Sequence, residues 1–185
     1  MTATQTSLHH HISDMKAATD HILGAVKRQA EDAEVRKVPE VSALTGRILA
    51  ALQSQSQALE NELKRIGQTP TDGLKDMVTA VTGTLTGLYD KVRNHPVSRN
   101  LRDNYTALSL AVVSNSMLHV TALAADDQAT AALALRNMQE LAPLIVQLGE
   151  AILPVVESEL AADFSPKAGA SQTALENVRK VWGKE

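Results

Sequence analysis

Apolar residues recur at spacings of three and four along most of this chain, which is the period of an α-helix that packs on one face. In the first segment, for example, Leu8, Ile12, Met15 and Ile22 fall on one stripe. No segment alternates in the period-2 manner of a strand. The pattern therefore predicts an all-α fold, with helices over Ser7–Glu34, Glu40–Ile66, Gly73–Arg93, Arg99–Ala125 and Asp127–Ala162, and a short tail helix opened by a capping box at Thr173.

The segment Ala107–Ala125 differs from the other predicted helices because it is apolar on almost every side. Its only polar interruption near the middle is Ser114, Asn115 and Ser116. A helix that is apolar all round is typical of a buried position. We therefore expect it at the centre of a helical bundle.

The last long helix contains Pro143 and Pro154. Because an interior proline removes a backbone hydrogen bond, we expect bends near Leu141 and Ile152. Beyond this helix, a linker and a short amphipathic tail are predicted over 163–185. The domain prediction is thus a bundle over 1–162 followed by the tail.

Composition narrows the classes of function. The 185 residues include no cysteine and only 2% aromatic side chains, and the net charge is −3. A thiolate site, a base-stacking platform and a basic nucleic-acid face are therefore not expected. The N-terminus lacks the features of a secretory signal, and no apolar run approaches the ~20 residues of a membrane span. We expect a cytoplasmic protein that neither crosses a membrane nor binds nucleic acid.

Potential metal ligands are few and scattered. His10 and Asp14 are four residues apart and could share one face of a helix, but His21 lies two turns further on. His119 lies in the apolar helix, and Glu140 lies beside an apolar stripe. These five residues are equally consistent with side chains that are solvated or hydrogen-bonded to the protein and with side chains that bind a metal.

The sequence contains no motif for nucleophilic catalysis, for a phosphate-binding loop or for a dinucleotide. No catalytic residue and no cofactor site is therefore predicted. The sequence favours a non-enzymatic role.

The order of the helices resembles that of a known family. A long helix is followed by a second one ending in Leu63-Lys64-Arg65-Ile66-Gly67, then by a short helix, an apolar helix and a last long helix. Over Leu8–Leu160 this layout is similar to the YciE/YciF-type family of bacterial stress-associated ferritin-like proteins. The resemblance implies a ferritin-like four-helix bundle with an extra short helix between the second and third long helices and a C-terminal tail helix.

The resemblance also implies a two-metal carboxylate site, but its ligand positions are altered here. The matching positions hold Thr19 in the first helix, a residue near Ala51 in the second, and Ser114, Asn115 and Met117 in the apolar helix. Only Glu140 in the last helix is an acid. A di-iron centre needs about four carboxylates and two imidazoles, so no ligand role carries over.

The leading expectation is therefore a metal-free, ferritin-like bundle with a non-enzymatic, stress-associated or partner-binding role, assembled as a homodimer. One alternative is a divergent iron or manganese site built from His10, Asp14, His21, His119 or Glu140. Another is a bundle that binds an apolar ligand or a membrane surface. The tail helix, with Trp182, could dock on a protein partner.

Overall fold

A computed structural model of the chain describes residues 3–67 and 96–183. These residues form α-helices and no strand, which confirms the all-α prediction. The predicted short helix Gly73–Arg93 lies outside the described residues. The helices are α1 (Ala3–Glu31), α2 (Ala33–Arg36), α3 (Pro39–Arg65), α4 (Pro96–Ala124), α5 (Gln128–Leu160) and α6 (Ala170–Val181).

The four long helices pack as a bundle in which each contacts two neighbours, in the order α1, α3, α5, α4 around the bundle. All neighbouring pairs are antiparallel. Gln29 near the end of α1 accepts a hydrogen bond from Asn104 near the start of α4, and Thr130 at the start of α5 contacts Glu62 at the end of α3. Consequently α3 ends at one end of the bundle and α4 begins at the other.

The core consists of two hydrophobic clusters, one above the other along the bundle axis. Each cluster draws residues from all four long helices. The first includes Ile22, Ile48, Leu52, Leu108, Ala111, Leu141 and Leu148, and the second includes Ile12, Met15, Leu59, Leu118, Leu133 and Ala134. Between these clusters each long helix contributes about one turn, which forms the site described below.

Aspartate side chains that act as N-caps set two of the helix boundaries. The Asp32 carboxylate accepts a hydrogen bond from the Glu34 N–H at 2.8 Å, so the predicted first helix breaks there into α1 and α2. The Asp127 carboxylate caps α5 by accepting from the Thr130 N–H at 3.0 Å. Asp126, with φ of 55°, makes the tight reversal before it, a conformation that Asp tolerates better than most residues.

The bends near Leu141 and Ile152 stay a prediction: α5 is helical throughout Gln128–Leu160, and both of its prolines are exposed, so water can reach the carbonyls that lose a partner. One other local prediction needs correction. The capping box at Thr173 is wrong, because α6 begins three residues earlier after Gly169, whose φ is 78°. The Thr173 hydroxyl instead donates to the Gly169 carbonyl at 3.1 Å.

The predicted central position of the apolar helix is also wrong. The α4 helix occupies one corner of the bundle and buries one face, while Val113, Met117 and Val120 on the opposite face are 56% to 66% exposed. An apolar helix was expected to be covered on all sides. The structure leaves a large part of its apolar surface open.

By length and composition alone, two described helices could cross a membrane: Val97–Ala124 and Gln128–Leu160. This corrects the expectation that no run approaches that length. The core helices of water-soluble bundles meet the same criterion, so the finding is weak evidence for a membrane. It does show that α4 and α5 carry more apolar surface than the bundle buries, since only 33% and 22% of the two apolar windows are buried.

The tail folds back against α5. The Arg179 guanidinium contacts the Glu150 carboxylate at 2.7 Å, and the Ser171 N–H donates to Glu157 at 3.1 Å. Hydrogen bonds from the Ser171 hydroxyl and then from its N–H lower the pKa of the Glu157 carboxyl below its ordinary value. No residue of α6 is buried, and Trp182 is 69% exposed. The tail is therefore docked on the bundle surface.

Candidate functional site

A layer of polar side chains lies at mid-height in the bundle, between the two hydrophobic clusters. Each long helix contributes to it, with Thr19 from α1, Gln55 from α3, Asn115 from α4 and Asn137 from α5. All four residues are at most 2% exposed. We call this set, with the half-buried Glu140 on the next turn of α5, the mid-bundle layer.

Hydrogen bonds join three of the four helices within the mid-bundle layer. Gln55 Nε2 donates to the backbone carbonyl of Asn137 at 3.2 Å and to Glu140 Oε2 at 3.1 Å. Asn137 Nδ2 donates to Asn115 Oδ1 at 3.2 Å, and Asn115 Nδ2 donates to the Ala111 carbonyl at 2.9 Å. Buried amides need such partners, because desolvation without a hydrogen bond is unfavourable.

One acceptor in the mid-bundle layer lacks a partner among the described residues. Asn137 Oδ1 is buried and receives no hydrogen bond from residues 3–67 and 96–183. A polar atom in this position is satisfied by an ordered water in many bundles. The layer therefore offers uncharged oxygen and nitrogen atoms, with the Glu140 carboxylate at its edge.

The mid-bundle layer coincides with the level at which the resemblance places a metal site. Thr19, Asn115 and Glu140, each matched to a ligand position from the sequence, all belong to it. In α3 the residue at this level is Gln55, one turn after Ala51, which is only partly buried and packs against the first cluster. The residue that the resemblance matches in α3, Ala51, therefore lies outside the mid-bundle layer.

The N-terminal metal candidates lie away from this layer. His10 is exposed on α1, and Asp14 one turn later is half-buried. Burial raises the pKa of the Asp14 carboxyl, and the nearby imidazoles of His11 and His10 act in the opposite direction. His21 lies a further two turns along the same helix and does not join them.

The His119 imidazole bridges two helices instead of facing a ligand site. Its Nδ1 lies 2.8 Å from the carbonyl oxygen of Ala131 on α5. Because a carbonyl only accepts, Nδ1 carries the proton in this contact. Glu140 lies about two turns from this contact and bonds to Gln55, so the structure does not bring these two candidates together.

Within residues 3–67 and 96–183, no group of three or more His, Cys, Asp or Glu side chains could hold a metal ion. The mid-bundle layer supplies one carboxylate where a di-metal site uses about four. Its amides can fix how α3, α4 and α5 align, since a slipped helix would leave them without partners.

A second polar cluster closes the end of the bundle where α3 meets α5. Glu62, 8% exposed, is bound by Arg65 at 2.7 Å and by the Thr130 hydroxyl, and Arg65 also contacts Asp127. Burial acts to raise the pKa of Asp127, but the Thr130 N–H and Arg65 outweigh it and hold that pKa below its ordinary value. The cluster is a structural clasp between two helices.

The opposite end of the bundle contains a cavity of about 610 Å³. Its walls are mainly apolar, including Val41, Val97, Pro154 and Val155. The charged lining residues are Glu40, Glu159 and the ion pair of Lys37 with Glu34 at 2.6 Å. Cavities of ~300–1,000 Å³ with apolar walls and few polar groups are typical of small-molecule sites. This cavity is separate from the mid-bundle layer.

Comparison of the chain with protein-family models, with curated proteins and with solved structures found no match to any of them.

Sequence reasoning missed Asn137 and the clasp formed by Glu62 and Arg65. Asn137 is a polar residue within the apolar stripe of α5, between Ala134 and Leu141, and that position could have marked it as buried. The clasp had no such signal, because Glu62 and Arg65 read as an ordinary surface pair three residues apart.

Proposed function

We propose that this chain is a ferritin-like bundle whose metal layer has been replaced by amides, and that it acts without metal as a non-enzymatic, stress-associated, partner-binding protein. The observation that carries the proposal is the mid-bundle layer itself. Its buried members are Thr19, Gln55, Asn115 and Asn137, none of which carries a charge.

The connectivity supports the ferritin-like part of the proposal. The α3 and α4 helices begin at the same end of the bundle and lie diagonally across from each other. A single long crossover between the second and third long helices is the connectivity of ferritin-like folds, whereas simple up-down bundles use short loops throughout.

The energetics of the layer support the absence of metal. Without a metal, four buried carboxylates at one level would repel each other and lose hydration, at several kcal/mol per ion. Amides joined by hydrogen bonds avoid that penalty. A chain with this layer gains nothing from a metal and is stable without one.

The protein is to be purified without chelators from cells grown with excess iron and manganese. We expect elemental analysis to find far less than one equivalent of either metal per chain. The matched variant combines Thr19→Glu, Gln55→Glu and Asn115→Glu, which with Glu140 places four carboxylates at one level. We expect this variant to bind Co²⁺, seen by visible absorption, and to be less stable than the wild type without metal. Two equivalents of metal in the wild type would falsify the proposal.

A second candidate function is the binding of an apolar molecule in the cavity at the end of the bundle. The size of the cavity, about 610 Å³, and its apolar walls favour this candidate. We expect native mass spectrometry to detect a bound small molecule that Val41→Trp removes, because the larger side chain fills the cavity. An unchanged ligand-free mass for both proteins would exclude this function.

A further inference from the structure

The outer face of α4 carries a continuous apolar stripe. We call the set Leu110, Val113, Met117, Val120 and Leu123 the outer stripe. Its members recur at spacings of three and four and are between 37% and 66% exposed. The stripe lies opposite the face of α4 that packs into the core through Leu108, Ala111, Asn115, Leu118 and Ala122.

The composition of α4 shows that this face is not suited to water. Residues 104–124 include no Asp, Glu, Lys or Arg. The exposed face of α3 in the same bundle is polar and includes Arg47, Gln57 and Lys64. A helix face that stays in solvent ordinarily looks like that of α3, so the outer stripe has the composition of an interface.

The described chain covers only one end of this face. The α6 helix lies over the end near Tyr105 and Val146, with Val178 and Trp182 beside them. Leu135 of α5, 42% exposed, lies at the level of the outer stripe, because His119 contacts Ala131 and Ser116 contacts Met138.

The area of the uncovered patch suits an association between proteins. The outer stripe and Leu135 together leave on the order of several hundred Å² of apolar surface open, which is the size of the largest apolar patch on a typical monomer, and such a patch is often functional. A standard protein interface covers about 800 Å² on each partner, so the patch could form most of one.

The order of side chains in the outer stripe is nearly the same in both directions from Met117. Val113 lies four residues before it and Val120 three after, while Leu110 lies seven before and Leu123 six after. When two copies of such a helix pack antiparallel about a two-fold axis, each side chain meets its own type and Met117 meets Met117. This is the self-complementarity that a two-fold interface requires.

We propose that a second copy of this chain packs on the outer stripe, with α4 antiparallel to α4 and the two-fold axis beside Met117. This names the partner in the partner-binding role proposed above, and it does not depend on the state of the metal layer. A membrane is the less suitable occupant, because helices that lie on membranes carry Lys or Arg beside the apolar face and residues 104–124 carry neither.

The proposal is tested by measuring mass in solution by analytical ultracentrifugation at micromolar concentration. We expect the wild type to be a dimer. Met117→Glu places two carboxylates against each other at the axis and should weaken dimer formation at least about 100-fold. The control Val181→Glu, on a more exposed apolar residue of α6, should leave the mass unchanged, since Val181 is 85% exposed and lies off the stripe.

Mixing variants tests the axis itself. We expect Met117→Glu and Met117→Lys, each monomeric alone, to form a mixed dimer by native mass spectrometry, because opposite charges then meet at the axis. If either variant loses its helical circular dichroism, the pair Val113→Glu and Val120→Lys replaces it, since these positions face each other across the same axis.

Three outcomes would overturn the proposal. A monomeric wild type would show that something else covers the stripe, such as residues 68–95 of the same chain. A wild-type monomer that sediments with anionic vesicles would assign the stripe to a membrane. A dimer that survives Met117→Glu would place the interface elsewhere. None of these outcomes alters the metal analysis, so the two proposals fail separately.

Discussion

Replacing Asn115 with leucine is expected to destabilise the protein by about 3 kcal/mol, which corresponds to a fall of roughly 6–12 °C in Tm for a chain of this length. Asn115 is 0% exposed and accepts the hydrogen bond that Asn137 Nδ2 donates. Once that acceptor is gone, Asn137 Nδ2 has no hydrogen-bond partner within the part of the chain that the structure describes, where its Oδ1 already has none. A buried amide without partners and some crowding by the larger leucine together account for the expected loss.

The double variant Asn115→Leu with Asn137→Leu is expected to recover much of this loss. Both polar partners are then absent, so no buried donor remains without an acceptor. We expect the sum of the two single-variant losses in unfolding free energy to exceed the loss in the double variant by at least about 1.5 kcal/mol. Urea or thermal unfolding followed by circular dichroism measures these losses. Ser116→Ala, on the exposed side of the same turn, should change stability by less than about 0.5 kcal/mol. Strictly additive single effects would show that the two amides do not act as a pair.

The helices of this fold could be predicted to within a few residues, because the spacing of apolar positions is a local property of the sequence. The limits of α3 differ from the prediction by one residue at each end, and those of α5 by one and two. The largest differences arise at the ends of α1 and at the start of α6. The α1 helix begins four residues before Ser7 and, because Asp32 caps α2, ends three residues before Glu34, while α6 begins at Ala170, three residues before Thr173.

The mid-bundle layer was only partly predictable, since it depends on how four helices align along the bundle axis. Thr19, Asn115 and Glu140, which the resemblance matches to ligand positions, lie in this layer, whereas Met117, matched in the same way, is 56% exposed on the outer face of α4. The level of Gln55 depends on the register of α3 against its neighbours, which a count along one helix does not give. Whether an apolar face is covered is likewise a property of the assembly. The inner and outer stripes of α4 are equally apolar in sequence, so periodicity alone predicted burial for both.

The second large effect is expected at the clasp between α3 and α5. Arg65→Met should destabilise the protein by about 2–3 kcal/mol, because it leaves the buried Glu62 carboxylate without a cation. This expected loss is no larger than the smallest losses found when a fully buried ion pair is broken. The reason is that the Arg65 side chain is 44% exposed, so water can replace part of its interaction with Glu62. The variant also removes the contact between Arg65 and Asp127 that helps to cap α5.

The free energy of unfolding of Arg65→Met should be measured at neutral pH, where all the ion pairs of the clasp are formed. The pKa of Asp127 is lowered in the folded protein, so its contribution is present above the ordinary value of 3.8 and is lost as the pH falls through the folded pKa. The matched control is Lys64→Met on the adjacent residue, whose partner Glu60 lies on the surface of α3. An exposed pair of this kind contributes at most about 0.5 kcal/mol. Equal losses for Arg65→Met and Lys64→Met would mean that Glu62 is solvated and that the clasp does not join the two helices.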